Sequence, residues 1–158
     1  MLLVVDSSVI VAVCLAGGRV GRLAGHELRG PAHLAAEVTS TVRERAFRQE
    51  ISDAVGADAL RHLGQLPVSY EPAGRLAEAA YDLAAANGWA KTYDAEYVSL
   101  ARELDCPLVT LDRRLQRGAS HLATILGPAD LPKVMSEAAV LPDEVERRLP
   151  WPQARRPR

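Results

Sequence analysis

The sequence predicts an α/β fold with a central parallel sheet of four to five strands flanked by helices. Three observations predict it. Leu2–Val5 is an unbroken apolar run with no polar face, the composition of a strand covered on both sides. Leu108–Leu111 repeats that grammar far along the chain, and each run ends directly on an aspartate, Asp6 and Asp112. Segments with helical apolar spacing separate the candidate strands, and that alternation implies a parallel sheet with right-handed crossovers.

The elements follow in order. After Asp6, Ser7 or Ser8 caps a short helix over Val9–Leu15 that stops at Gly17-Gly18. Pro31 opens the next helix, whose stripe is Leu34, Val38, Val42 and Phe47. Ser52 and Asp53 cap a third helix with Val55, Leu60 and Leu63 facing inward, and PVSY is the second strand. Leu76, Ala80, Leu83 and Ala84 give a helix from Ala73 to Asn87, ended by Asn87-Gly88. Thr92 caps KTYDAEYVSLAREL, with Ala95, Val98, Leu100 and Ala101 on its apolar face. Leu108–Leu111 is the third strand, Asp112–Arg117 a short helix and Leu122–Leu126 the fourth strand. Beyond Gly127 the chain is punctuated by proline, a loosely held or partner-bound tail with a helix in its middle.

Composition narrows the class. A chain of 158 residues makes one domain, long enough to bury a core without staples. Aromatics are only 4%, so packing must rest on Leu, Val and Ala. Cys14 and Cys106 lie far apart and outside any CxxC pattern, which points to free thiols in a reducing compartment. The N-terminus lacks the basic region of a signal peptide, and Asp6 breaks its apolar run before it could span a bilayer. The expected location is the cytoplasm, with no membrane partner. A net charge of −1 argues against blanket electrostatic binding to nucleic acid and leaves local patches open.

The chemistry lies in the acids. A carboxylate between two hydrophobic segments is costly to bury unless it is paired, hydrogen-bonded or holding a metal. Ligands of open parallel sheets bind beyond the carboxyl ends of the strands, so Asp6 and Asp112 belong to one edge and share a crevice if their strands are neighbours. Asp94 stands in the first turn of its helix, favoured there by the dipole or aimed at the same rim. Glu37 is a lone acid among Ala, Leu and Val, either at a helix edge or directed at something. Glu96 points to another face than Asp94 and reads as solvated surface. Acids converging on one crevice need a counter-charge. Oxygen-only ligands select a hard cation, Mg²⁺ or Mn²⁺, and His26, His33, His62 and His121 show no ligand spacing. Ser7, Ser8 and Thr110 either cap local structure or orient carboxylates and water. Arg113 and Arg114 sit where a helix dipole disfavours cations, and contact with a substrate backbone would account for them.

VVDSSVIV, PAHLAAEVTSTV and YDAEYVSLARELDCPLVTLDRRL together resemble the PIN-domain ribonucleases, in particular the VapC toxins of bacterial toxin–antitoxin pairs. The resemblance covers Met1 to Leu126 and implies a PIN-like three-layer sandwich. It assigns residues 1–128 to a nuclease domain and residues 129–158 to a C-terminal extension outside the family pattern. It further implies a Mg²⁺-dependent endoribonuclease, Mn²⁺ substituting, with Asp6, Glu37, Asp94 and Asp112 as the catalytic quartet. Asp6 and Asp94 would be direct metal ligands, with Asp112 completing the site directly or through water. Glu37 would hold a metal-bound water or position a second ion. The partners implied are RNA, a cognate VapB-like antitoxin and a second copy in a homodimer, meeting the apolar surfaces of the helices from Val9 to Leu63.

Two rivals remain. A phosphatase or receiver domain using Asp6 as nucleophile would want an acid two residues on and a nearby lysine. Ser8 holds that position, and Lys91 and Lys133 are the chain's two lysines. A catalytically inactive PIN-like interaction module would have no reason to keep four mutually repelling charges.

Overall fold

A computed structural model of the chain describes residues 1–131. The expected helix in the tail lies outside the described residues. Five strands form one sheet: β1 (Leu2–Val5), β2 (Glu27–Gly30), β3 (Val68–Tyr70), β4 (Leu108–Val109) and β5 (Ile125–Leu126). All pairings are parallel and the order is β3-β2-β1-β4-β5, so β1 is central. Among the described residues six α-helices flank the sheet: α1 (Ser7–Leu15), α2 (Leu34–Phe47), α3 (Asp53–Gln65), α4 (Ala77–Ala86), α5 (Tyr93–Glu103) and α6 (Arg113–Ala119). The α/β class and parallel sheet expected from the sequence are what the chain adopts.

Strand β1 carries Leu3, Val4 and Val5 with no exposed surface, because it is covered on both faces. From it the chain builds β2 and β3 on one side and later β4 and β5 on the other. The strand order therefore reverses between β1 and β4, which opens a crevice at their carboxyl ends. Helices α1, α2 and α3 pack together, while α5 packs on α4, β1 and β4. Helix α5 is buried without a break from Tyr97 to Ala101 and forms the rigid backing of the crevice.

Several local expectations are corrected. Strand β2 has no sequence signal: of ELRG only Leu28 is a buried large apolar side chain, and Glu27 and Arg29 pair with each other at 2.8 Å. PVSY supplies β3 instead. Phe47 is 75% exposed, Val55 43% and Leu60 39%, although all three were expected inward. Helix α3 turns Gly56 and Ala59 to the core, and a Cβ on Gly56 would stand 3.6 Å from Val42. Small residues bring the helices close and leave the larger ones outside. The cap of α1 is Asp6 rather than a serine, since its carboxylate accepts from the Ser8 N–H. Thr92 occupies the N-cap position of α5, but its hydroxyl makes no capping bond. Strand β4 stops at Val109, and Leu111 is half-exposed. Strand β5 and helix α4 are both shorter than expected, the stretch before α4 being turns.

The described fold continues past Gly127, with Leu131 in the core and Arg22 Nη1 donating to the Ala129 and Leu131 carbonyls at 2.6 and 2.7 Å. Both cysteines are free. Burial pushes the Cys14 thiol up to about 11. The folded state thus keeps a proton that the unfolded chain releases near the ordinary thiol value, so stability falls as pH rises from about 9 to about 11. Iodoacetamide at pH 8 should leave Cys14 unlabelled in the native chain and label it in denaturant. Urea midpoints should drop between pH 8 and pH 10.5.

Candidate active site

Asp6 stands where β1 hands over to α1. Its backbone N–H donates to the Val109 carbonyl at 3.0 Å, the last rung between β1 and β4. Its carboxylate is almost buried, at 6% exposure, and must be satisfied by protein donors. Oδ2 accepts from the Ser8 N–H at 3.2 Å, from the Ser8 hydroxyl, and from the Thr110 hydroxyl at 2.8 Å. Among the described residues no protein donor reaches Oδ1, which is left for something else. Ser8 and Thr110 therefore orient the carboxylate as the sequence allowed, while Ser7 lies beside the Tyr97 hydroxyl.

The end of β4 builds the opposite wall. Thr110 is fully buried, and its Oγ1 accepts from the Asp112 N–H at 2.9 Å. Asp112 caps α6, its Oδ1 accepting from the Arg114 and Leu115 N–H groups at 2.7 and 3.2 Å. From the first turn of α6, Arg114 reaches across to Asp94, Nη2 to Oδ2 at 2.9 Å, with Asp112 Oδ2 at 3.8 Å. Arg113 is exposed and makes no side-chain hydrogen bond among the described residues. Burial raises the Asp94 carboxyl above its ordinary value; Arg114 opposes the rise, and the charges of Asp6 and Asp112 add to it. Asp94 thus feels the charges of both other aspartates. Among the described residues no three ligand-type side chains yet meet at ion-binding distance, and Arg114 supplies the positive charge between Asp94 and Asp112.

Glu37, in the first turn of α2, is held from α5. The Tyr97 hydroxyl donates to Glu37 Oε2 at 2.7 Å. Burial first, then the Glu37 charge, pushes the Tyr97 phenol far above its ordinary value, so it remains a donor. His33 fits between these elements. Its Nδ1 lies 3.1 Å from Glu96 Oε2 and its Nε2 3.6 Å from Glu37 Oε2. Its ring meets Tyr97 edge-on at 5.1 Å and Tyr93 at 5.3 Å. Two sequence expectations need correcting here. Glu96 does point away from Asp94, but the face it points to carries His33, not bulk solvent. His33 belongs to the site's surroundings, and its i, i+4 spacing from Glu37 was the available signal. Tyr97 was not singled out from the sequence; it stands three residues after Asp94 on the same side of α5, and that spacing was the available signal.

The donor set suits a hard cation: every acid on the rim offers oxygen, and burial raises the Asp94 carboxyl, with smaller contributions from Asp6 and Asp112. Beside the acids a cavity of about 690 Å³ opens, with Glu37, Asp94 and Arg114 in its wall.

The PIN domain model matches residues 3–120, and the chain belongs to the PIN-domain family. Among its sequence relatives is "Ribonuclease VapC12" of Mycobacterium tuberculosis, 36% identical over 128 residues, which are 78% of this chain and 97% of that protein. Another is "VapC ribonuclease Mb0985" of Mycobacterium bovis, 36% identical over 115 residues, 72% of this chain and 88% of that protein. The fold is shared with PAE2754 from Pyrobaculum aerophilum at a TM-score of 0.63 and 22% identity, covering 82% of this chain and 93% of that one. It is also shared with VapBC-1 from nontypeable Haemophilus influenzae at a TM-score of 0.52 and 13% identity, covering 82% and 99%.

Proposed function

We propose that this chain is a Mg²⁺-dependent endoribonuclease that hydrolyses RNA phosphodiester bonds, the toxin of a VapBC-type toxin–antitoxin pair. The observation that supports the reading is the set of acids at the β1–β4 switch point, where Asp94 pairs with Arg114 at 2.9 Å and still feels the charges of Asp6 and Asp112. Relatives named as ribonucleases, aligned over most of the chain, support the choice of RNA as substrate.

Asp6, Asp94 and Asp112 would hold the cation, Mg²⁺ or in its place Mn²⁺. Bound there, it supplies a Lewis acid that lowers the pKa of water and neutralises charge on the phosphoryl oxygen. Ser8 and Thr110 keep Asp6 aimed with its Oδ1 free. Glu37, fixed by Tyr97, orients the attacking water and accepts its proton. Arg114, on leaving Asp94, pairs with a substrate phosphate, and exposed Arg113 adds a second cation beside it. Residues 1–128 carry the nuclease and residues 129–158 form the extension.

A VapB-like antitoxin is the proposed inhibitor and a second copy of the chain the proposed partner in a homodimer. Both would use apolar surface between Val9 and Leu63. A groove lined by Val9, Val13, Val20, Leu23 and Leu111, with a volume of about 340 Å³, lies on that surface. The cytoplasm is the proposed location, and among the described residues no helix is long and apolar enough to cross a membrane. The test is cleavage of total RNA by the purified chain. Mg²⁺ or Mn²⁺ should support it, EDTA should abolish it, and excess Mg²⁺ should restore it. Cleavage indifferent to EDTA would contradict the reading.

A further inference from the structure

We propose that the cavity beside the acids is a nucleobase subsite, which receives one unstacked base of single-stranded RNA next to the phosphate to be cut. The inference rests on the ribonuclease reading and adds the feature of the substrate that the site grips.

The cavity, about 690 Å³, falls in the size range of small-molecule sites. Its wall combines two aromatic rings, Trp89 and Tyr93, with Lys91, the one lysine in residues 1–131. Tyr93 is half-exposed and its ring is steadied by His33 at 5.3 Å, so an ordered aromatic face is offered to solvent. Aromatic faces of this kind are how proteins hold splayed RNA bases, because every base has a π-face to stack. The charges decide which part of a nucleotide enters. Glu37 and Asp94 would repel a phosphate from the interior, whereas a neutral base meets no such penalty. Exposed Lys91 and Arg114 stand ready for the phosphates on either side.

Glycine keeps the space open. Gly88 has φ of +67° and Gly118 lies within α6, and a Cβ on either would meet nothing within 4 Å. Glycine is a poor helix former, so its presence in the seven-residue α6 is not explained by local stability. At position 118 a larger side chain would take up cavity volume without displacing a neighbour.

The test uses the full chain as Asp6→Asn, to prevent cleavage, with Trp151→Phe so that Trp89 is the sole tryptophan. A six-nucleotide single-stranded RNA of mixed sequence is titrated in Mg²⁺ against a base-free ribose-phosphate oligomer of equal length. The RNA should quench Trp89 fluorescence, and the base-free oligomer should not. Tyr93→Leu should weaken binding about tenfold, the loss expected for one stacked base. Gly118→Leu should weaken it similarly and Gly118→Ala less, while Tyr81→Ala, on exposed α4 surface, should leave it unchanged. Equal binding of the base-free oligomer, or unchanged affinity in both Tyr93→Leu and Gly118→Leu, overturns the proposal. The two readings fail separately. A wild-type chain that cuts no RNA yet shows base-dependent quenching loses the nuclease assignment and keeps the subsite; one that cuts RNA while its pocket variants bind normally loses only the subsite.

Discussion

Asp6→Asn and Asp94→Asn should each lower RNA cleavage on the order of a thousandfold, since a lost metal ligand removes several kcal/mol of transition-state stabilisation. The fold should survive both changes to within about 1 kcal/mol. Asparagine is a good N-cap, so position 6 can still accept from the Ser8 N–H. Asp94 loses only its pairing with Arg114, whose side chain is 76% exposed, and a surface pair of that kind contributes little. Cleavage rates measured beside thermal melts separate charge from packing. Full activity in both variants would remove these residues from the chemistry.

Tyr97→Ala should destabilise the chain by about 3–5 kcal/mol, the range for truncating a large buried aromatic residue. Tyr97 has no exposed surface, lies on the helix that backs β1 and β4, and meets the His33 ring. Its loss opens a cavity and frees Glu37 at once. A fall in melting temperature of about 10 °C or more follows for a chain of this size. Tyr97→Phe divides the two effects. It keeps the ring and should cost about 1 kcal/mol of stability, while cleavage falls about tenfold because Glu37 loses the donor that orients it. Wild-type cleavage by Tyr97→Phe would show that Glu37 needs no such support.

The strand-end acids were legible because their cost was legible. An aspartate after an apolar run is expensive unless something compensates it, and two such runs in a parallel sheet put Asp6 and Asp112 on one edge. Helix α5 was legible for a related reason, its apolar residues being numerous enough to set the register. Strand β2 was not. ELRG shows neither alternation nor an apolar run, because the neighbouring strands hold it in the sheet and the Glu27–Arg29 pair satisfies its charges. Helix α3 misled for the opposite reason: Gly56 and Ala59 are its buried residues, and small residues carry no hydrophobic signal. The role of His33 and Glu96 was hidden because they come from different helices, and only the packing of α2 against α5 brings them within 3.1 Å. The Arg114 bridge to Asp94 is likewise a tertiary event.

On the proposed function, carboxylates at the ends of β1 and β4 and in the first turn of α5 would share a divalent cation. Titration of Mn²⁺ into the full-length chain, followed by electron paramagnetic resonance without RNA, addresses it directly. The wild-type chain should bind Mn²⁺, and Asp6→Asn, Asp94→Asn and Asp112→Asn should each weaken binding about tenfold or more while remaining folded. Undiminished Mn²⁺ affinity in all three folded variants would contradict it.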